Sequence, residues 1–286
     1  MTDFQTLIDA DALAELIDRK LVLVLDCGFD LSDAGAERTA YAAGHIPGAL
    51  HVDLERDLSG TPDGRNGRHP LPDREEFATR MAALGLTHGM QAVSYDSSGG
   101  YYASRLWWML RWAGHRDAAV LDGGLAAWRE AGLPLATGFE QPARKGDFTA
   151  SSQPDMPSID VDAIEASLEG GDLLVIDARS AERYRGDPHP LDPVSGHIPG
   201  ARNRFFQQNL MPDGRFKPAA ELARDFAAVL GTTPPERTVH QCGSGVTATH
   251  NLLAMEIAGM GGSGLYPGSW SEWISDPARP IERTPV

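Results

Sequence analysis

Residues Gly44–Ala49 read Gly-His-Ile-Pro-Gly-Ala, and the same six residues return in the same order at Gly196–Ala201, 152 residues later. Six identical residues in one order indicate an internal duplication rather than chance. The apolar run Leu21–Asp26 also returns, as Asp172–Asp177, at almost the same separation. The chain therefore contains two copies of one sequence unit.

The duplication predicts two domains of similar size. A chain of 286 residues is long enough for two domains, each with its own core. Trp128 returns as Trp273 only 145 residues later, so the second copy is shorter in its middle. A stretch between the copies is rich in Pro, Gly and Ser and has no sustained apolar period, which is typical of a linker. We predict domains at 1–138 and 158–286, joined by a linker at 139–157.

Each copy alternates short apolar strands with helical patterns. In the first copy, strands are predicted at Leu21–Asp26, Ala92–Tyr95 and Ala119–Leu121, and a helix at Arg105–Ala113. This alternation predicts an α/β fold in which each domain has a mostly parallel sheet flanked by helices. Ligands of such folds bind at the carboxyl ends of the strands, so side chains that follow a strand are candidate functional residues.

One such residue is Cys242, which follows the predicted strand Thr238–Gln241 and opens the loop Cys-Gly-Ser-Gly-Val-Thr-Ala. Gly243 and Gly245 permit backbone conformations that turn successive N–H groups toward the sulfur, and the helix that follows adds its positive dipole end. A sulfur in that field ionises readily and becomes a nucleophile. We therefore expect Cys242 to be an exposed, reactive thiol; the alternative is a buried structural cysteine.

The first copy has no thiol at the corresponding place. Alignment of the two copies puts Asp96 opposite Cys242, so the first domain is predicted to lack a nucleophile. Cys27 ends a buried strand and is predicted only to pack there. The pair Trp107 and Trp108 is predicted to be core or interface packing.

The composition excludes several classes of partner. The chain carries 40 Asp and Glu against 25 Lys and Arg, a net charge of −15 that repels nucleic acid and anionic membranes. No apolar run approaches the length of a membrane-spanning helix, and Met1–Lys20 lacks a signal-peptide pattern. The two cysteines are too few for a disulfide framework, and the nine histidines show no metal-ligand spacing. We expect a cytoplasmic protein with no metal and no organic cofactor.

These motifs together carry a family resemblance. A duplicated domain with Gly-His-Ile-Pro-Gly-Ala in each half, Asp96 in the first loop and Cys242 in the second resembles the tandem-domain rhodanese sulfurtransferases. Gly243 and Ser244 after the cysteine are similar to the members that use 3-mercaptopyruvate, whereas members that use thiosulfate carry two cationic residues there. Because thiosulfate is a dianion, adjacent cations would help its approach to the sulfur. The resemblance implies two rhodanese-like domains and transfer of a sulfur atom to a thiol, thioredoxin or cyanide.

The resemblance also implies catalytic roles. Cys242 attacks the donor sulfur and forms a persulfide. Ser244 matches a serine that relays a proton with a histidine and a carboxylate of the first half. The matching residues here are His69 and Glu55, with Asp53 as a nearby substitute for Glu55.

Donor binding is implied for residues before the cysteine and in its loop. Arg183 matches an arginine that holds the substrate carboxylate; the alternative is a surface salt bridge with Glu182 or Asp187. Arg179, directly after a strand, is predicted to be structural. The loop residues implied to bind the substrate are Gly243, Gly245, Val246 and Thr247.

The chain departs from the family pattern in one loop. The family places a second substrate arginine between Arg183 and the second Gly-His-Ile-Pro-Gly-Ala motif, but 187–195 contains no arginine. His189, Arg185 or Arg204 could compensate. Thiosulfate therefore stays open as the alternative donor.

Two other functions compete with sulfur transfer by an enzyme. Dual-specificity phosphatases of this fold need an arginine after five intervening residues, and Ala248 stands there, so a phosphoryl group would lack its main charge partner. A non-enzymatic persulfide carrier or interaction module needs only the thiol, whereas Cys242 with Ser244 and His69 indicates turnover. We also expect the protein to be a monomer that binds a small sulfur donor and a thiol acceptor.

Overall fold

The computed structural model describes residues 4–31, 33 and 35–284, and it divides into two compact units. Unit 1 comprises Met1–Ser59, Pro72–Asp155 and Leu210–Phe216. Unit 2 comprises Gly60–Leu71, Met156–Asn209 and Lys217–Val286. A short segment of the first half of the chain, 60–71, thus belongs to unit 2. The domain boundaries drawn from the sequence stay predictions.

Unit 1 contains a parallel five-stranded sheet and the helices that connect its strands. The strands are β1 (Leu7–Ile8), β2 (Val22–Asp26), β3 (Leu50–His51), β4 (Gln91–Tyr95) and β5 (Ala118–Leu121). The helices are α1 (Ala10–Asp18), α2 (Ala36–Ala43), α3 (Arg74–Ala83), α4 (Ala103–Trp112) and α5 (Gly124–Glu130). The strand order is β1-β5-β4-β2-β3, and every pairing is parallel.

The sequence explains why these elements form in unit 1. All five residues of β4 are buried, as expected for a central strand of a parallel sheet that is covered on both faces. Helix α1 begins after Asp9, whose carboxylate accepts a hydrogen bond from the Ala12 N–H at 2.8 Å and caps the helix. Trp107 and Trp108 are fully buried, which confirms their predicted place in packing. Cys27 is also buried, directly after β2.

Unit 2 repeats the arrangement with four strands. The strands are β6 (Leu174–Asp177), β7 (Arg202–Asn203), β8 (Thr238–Gln241) and β9 (Gly264–Leu265). The helices are α6 (Val161–Gly170), α7 (Ala181–Arg185), α8 (Ala219–Leu230), α9 (Ala248–Ile257) and α10 (Ser269–Trp273). Short 3₁₀ turns occur at Phe206–Asn209 and Pro235–Arg237. The order β7-β6-β8-β9 matches β3-β2-β4-β5 of unit 1, and these pairings are also parallel.

The fifth strand of unit 1 has a reduced counterpart in unit 2. Where β1 pairs with β5, unit 2 has a single parallel bridge between Ser158 and Leu265. The two sheets confirm the predicted α/β fold with a mostly parallel sheet in each copy. No helix in the described ranges is both long enough and apolar enough to span a bilayer.

The repeated Gly-His-Ile-Pro-Gly-Ala motif has the same structural role in both units. The His45 ring stacks on Tyr41 at 4.0 Å, and the His197 ring stacks on Tyr184 at 3.8 Å. In each case the histidine Nδ1 also lies within hydrogen-bond distance of the carbonyl oxygen of that tyrosine. The motif therefore fixes the turn that leads into β3 or β7, rather than supplying chemistry.

Candidate active site

The Cys242 loop connects β8 to α9 at the carboxyl end of the sheet in unit 2, as predicted. The Cys242 N–H donates to the Ser269 Oγ at 3.1 Å, and the Cys242 carbonyl accepts from the Trp270 N–H at 3.0 Å. The Gly243 carbonyl accepts from the Ser271 N–H, also at 3.0 Å. The first turn of α10 thus holds the backbone of the cysteine from both sides.

Glycine is required at two places in this loop. Gly245 has φ of +75°, and a Cβ atom added there would lie 2.2 Å from the carbonyl oxygen of Pro267. A Cβ atom added at Gly243 would lie 2.9 Å from Nη2 of Arg68 and 2.9 Å from Nη2 of Arg183. The glycines therefore let the loop turn, and they let two guanidinium groups approach its backbone closely.

The expectation of an exposed thiol at Cys242 is wrong for this structure. Only 2% of the residue is exposed. The reason is local packing, because the turn that begins α10 and the side chains of Arg68 and Arg183 lie against the loop. The Cys242 sulfur is therefore shielded, and two guanidinium groups lie close to the residue that follows it.

Arg183 is held in a fixed orientation by a buried carboxylate. Its Nε and Nη2 donate to the two oxygens of Asp192 at 2.6 Å and 2.7 Å, a bidentate pair. This pairing differs from the alternative considered from the sequence, a surface salt bridge with Glu182 or Asp187. Burial alone would raise the pKa of Asp192, but Arg183, with Arg179 and Arg68 behind it, holds that pKa below its ordinary value.

Arg179 is a structural residue, as predicted. It is buried, and its guanidinium donates to Asp177 at 2.7 Å and to the carbonyl oxygen of Gly196 at 2.7 Å. The same group lies 4.6 Å from the centre of the Trp270 ring. Arg179 thus ties β6 to the repeated motif and to α10 beneath the cysteine loop.

Arg68 is the functional candidate that sequence reasoning missed. Its N–H donates to the Ser271 Oγ at 3.0 Å, and its Nη1 donates to the Leu191 carbonyl at 2.8 Å. Burial lowers the pKa of the Arg68 guanidinium, and the nearby Arg183 and Arg179 add to that shift, while the negative charge of Asp192 opposes it. The only signal in the sequence was its position directly before His69.

The structure brings His69 and Ser244 together. The His69 Nδ1 lies 2.8 Å from the Ser244 Oγ, and the two residues are 6% and 7% exposed. Both belong to unit 2, because segment 60–71 is part of it. A buried hydroxyl hydrogen-bonded to an imidazole, two residues after a thiol, can pass a proton to or from a reacting group.

The two carboxylates predicted to complete this relay, those of Glu55 and Asp53, both lie in unit 1. Glu55 lies in unit 1 as an exposed residue. Asp53, its predicted substitute, accepts a hydrogen bond from the Arg56 N–H at 2.8 Å in the same unit. The role of either carboxylate stays a prediction.

The three residues proposed to replace the missing substrate arginine have other partners. Arg204 donates to Gln208 at 2.6 Å and pairs with Asp225 at 3.1 Å. Arg185 pairs with Asp187 at 3.0 Å. The His189 Nδ1 accepts a hydrogen bond from the backbone of its own loop, at the Leu191 N–H. Arg68 is the cation that the structure places next to Gly243 beside Arg183.

The first copy shows what this kind of loop binds. Asp96, which corresponds to Cys242, is 1% exposed, and its carboxylate accepts four backbone hydrogen bonds of 2.8–2.9 Å. The donors are the N–H groups of Ser98, Gly100, Tyr102 and Ala103. The loop after β4 thus forms a cradle of backbone N–H groups that holds the Asp96 carboxylate.

The sequence of the chain matches a known protein family over both copies. The sequence model of the family described as the rhodanese-like domain matches residues 9–131 and, a second time, residues 160–276. The chain belongs to the rhodanese family. It is therefore a sulfurtransferase of that family, an enzyme that needs a sulfur donor and a sulfur acceptor.

Individual relatives cover nearly the whole chain. A Pseudomonas aeruginosa protein named "Probable 3-mercaptopyruvate sulfurtransferase" is 48% identical over 278 residues, which cover 96% of this chain and 97% of the relative. A Mycobacterium tuberculosis protein named provisionally as thiosulfate sulfurtransferase SseB is 37% identical over 280 residues, covering 98% and 97%. The crystal structure of the 3-mercaptopyruvate sulfurtransferase SseA of Escherichia coli matches with a TM-score of 0.79 and 32% identity. That match covers 94% of this chain and 99% of the other.

Proposed function

We propose that this chain transfers a sulfur atom from 3-mercaptopyruvate to a thiophilic acceptor through a persulfide on Cys242. The observation that carries the proposal is that two features converge on the loop that follows Cys242. Two guanidinium groups flank Gly243, and the Ser244 hydroxyl is hydrogen-bonded to His69. The most similar of the relatives named above, from Pseudomonas aeruginosa, bears the name of this activity and supports the choice of donor.

The first half-reaction forms the persulfide. The Cys242 thiolate attacks the donor sulfur, the carbon–sulfur bond breaks, and its electron pair goes to the carbon to give the enolate of pyruvate. The proton of the donor thiol passes through Ser244 and His69 to that carbon, so the products are pyruvate and the Cys242 persulfide anion. Atoms and charge balance without an added oxidant or reductant.

Donor binding is assigned to the cationic side of the loop. Asp192 already orients Arg183. The guanidinium N–H groups that are not bonded to Asp192 hold the carboxylate of 3-mercaptopyruvate. The backbone of Gly243, Gly245, Val246 and Thr247 lines the place where the sulfur is transferred. The negative charge on sulfur is stabilised there in the way that the Asp96 carboxylate is stabilised in the first copy.

The second half-reaction regenerates the thiolate. Cyanide takes the outer sulfur as thiocyanate, and a thiol acceptor, with reduced thioredoxin as one candidate, takes it as its own persulfide. In both cases the sulfur–sulfur bond of Cys242 breaks and its electrons return to Cys242. A cytoplasmic location and a monomeric state are part of the same proposal.

Thiosulfate is the second candidate donor. In that reaction Cys242 takes the outer sulfur and releases sulfite. The observation in its favour is the pair formed by Arg68 and Arg183, because two cations near the nucleophile suit a dianion. The relative from Mycobacterium tuberculosis bears the name of that activity.

The test compares both donors with cyanide as the acceptor in the wild type and in Cys242→Ser. We expect kcat/KM to be higher for 3-mercaptopyruvate, and we expect the variant to be inactive with both donors. Stronger turnover of thiosulfate would reverse the choice of donor. Uptake of one sulfur per chain without repeated turnover would favour a carrier and overturn the proposal of an enzyme with free small acceptors.

A further inference from the structure

We infer that Arg68 binds the anionic group of the sulfur donor and supplies the second cation that loop 187–195 lacks. The inference rests on the proposed function and adds a residue that determines which donors the site accepts. It concerns the segment 60–71, which unit 2 takes from the first half of the sequence.

The first argument is position. Nη2 of Arg68 and Nη2 of Arg183 lie at equal distances, 2.9 Å, from the point where a Gly243 side chain would begin. Two guanidinium groups therefore converge on the residue next to the nucleophile. Planar guanidinium groups that converge in this way suit a carboxylate or a sulfonate, which has several oxygens to share.

The second argument is availability. Arg183 has committed Nε and Nη2 to Asp192, so only part of its hydrogen-bonding capacity is left for a donor. In the described part of the chain, the Arg68 guanidinium has the Leu191 carbonyl as its hydrogen-bond partner and no carboxylate within salt-bridge distance. Arg68 therefore keeps donor groups for a ligand.

The third argument is the balance of charge around the loop. Asp177 and Asp192 pair with the guanidinium groups of Arg179 and Arg183, whereas Arg68 has no carboxylate within salt-bridge distance among the described residues. The Arg68 guanidinium is half-buried and lies near Asp192 without pairing with it. A partly buried cation without a paired anion is costly, so an anion that binds there lowers the free energy of the site.

A pair of alkylating reagents tests whether Arg68 attracts an anion to Cys242, and the test does not depend on turnover. Iodoacetate and iodoacetamide react with a thiolate in the same way, forming a carbon–sulfur bond and releasing iodide, and they differ chiefly in charge. The ratio of their rates at Cys242 reports the local positive charge. Changes in thiol ionisation or access affect both rates equally and leave the ratio unchanged. The modified Cys242 peptide is followed by mass spectrometry, so that reaction at Cys27 does not contribute.

We expect the ratio of iodoacetate to iodoacetamide rates to fall about tenfold in Arg68→Gln, because one close charge-assisted contact is lost. Arg68→Lys keeps the charge and should recover much of the ratio. Arg65→Gln removes an exposed arginine from the same segment and should leave the ratio unchanged. The KM for 3-mercaptopyruvate should rise by a similar factor in Arg68→Gln, with a smaller change in kcat.

An unchanged ratio in Arg68→Gln, with both reagents still reacting, would overturn the inference. An equal loss in Arg68→Lys and Arg68→Gln would do the same, because it would show that charge is not what matters. Arg68→Met is the substitute if Arg68→Gln does not fold, and it carries the same expectation. Failure of the proposed function, seen as no turnover with either donor, would leave the alkylation ratio as an independent readout of Arg68.

Discussion

Cys242, the proposed nucleophile, is shielded from solvent by the groups around its loop. Cys242 lies beside one residue that two arginines approach and another that pairs with a histidine. Buried charge of this kind acts strongly because little water screens it.

Replacing Ser244 with Ala should slow the first half-reaction. The variant removes the hydroxyl that lies 2.8 Å from the His69 Nδ1, and loss of a proton relay typically costs about 10²-fold or more. We expect kcat with 3-mercaptopyruvate to fall by about that factor. Because the two groups act as a unit, the double variant with His69→Asn should be little worse than either single variant.

A matched control for this variant is Ser94→Ala. It also removes a buried hydroxyl, but from β4 in unit 1, where the Ser94 Oγ donates to the Ala103 carbonyl at 3.0 Å. Steady-state kinetics should show wild-type kcat for the control. A kcat within twofold of wild type for Ser244→Ala would contradict the relay.

At the residue scale the sequence predicted the nucleophile loop and the pairing of His69 with Ser244, but neither the shielding of Cys242 nor Arg68. The family pattern pointed to Arg183, whereas its partner Asp192 lies in a loop with no periodic pattern. Arg68 is 174 residues from Cys242 in the chain. Only the fold brings such distant residues together, so no local spacing could reveal them.

At the scale of elements, the loops after β4 and β8 occupy the same place in their two sheets. The loop after β4 wraps a carboxylate, and the loop after β8 presents a thiol in the same position. The strands that carry them were predicted to within one residue, at Ala92–Tyr95 for β4 and at Thr238–Gln241 for β8. The contents of the loops were harder to predict, since backbone hydrogen bonds leave no mark in the side-chain pattern.

Asp96→Asn should destabilise unit 1. The amide nitrogen cannot accept, so two of the four N–H groups that face the carboxylate lose their acceptor, at a cost of about 1–3 kcal/mol. Urea unfolding should show the loss as a lower midpoint. Asp11→Asn, on the exposed first turn of α1, serves as the control and should change the midpoint little. Equal midpoints for the two variants would argue against an anion cradle in the first copy.

Gly245→Ala should disrupt the cysteine loop more than a comparable change elsewhere. Both Gly245 and Gly259 have positive φ, so alanine costs about 1–2 kcal/mol of backbone strain at either place. A Cβ atom added at Gly245 would also lie 2.2 Å from the Pro267 carbonyl oxygen, whereas a Cβ atom added at Gly259 would meet open space. We expect Gly245→Ala to lose most sulfurtransferase activity and Gly259→Ala to keep it; retention of activity in both would refute the packing argument.

At the scale of the whole molecule, the duplication is what the sequence predicted best. Each copy forms a parallel sheet in the same strand order, and the repeated motif makes the same histidine–tyrosine stack twice. The assignment of 60–71 to unit 2 was beyond sequence reasoning. That segment has no strand or helix pattern, and its place depends on contacts such as the hydrogen bond between the Arg68 N–H and Ser271.

The stability of the molecule should fall in mild acid through His240. Burial lowers the pKa of His240 to about 3, while an unfolded histidine titrates near about 6.5. Between these two pKa values, His240 is protonated in the unfolded state and neutral in the folded state. The stability contribution is therefore intact above about pH 6.5 and is lost as pH falls below it, by about 1.4 kcal/mol per pH unit. Urea midpoints from pH 7.5 to 5 should fall less steeply in His240→Gln; equal slopes would contradict this assignment.

The measurement that tests the central claim most directly is sulfur uptake by the isolated chain. The protein is mixed with 3-mercaptopyruvate in the absence of an acceptor, quenched, and examined peptide by peptide by mass spectrometry. We predict a gain of one sulfur atom on the Cys242 peptide, none on the Cys27 peptide, none at all in Cys242→Ser, and removal of the added sulfur by cyanide. An unmodified Cys242, or the same uptake in Cys242→Ser, would contradict the account.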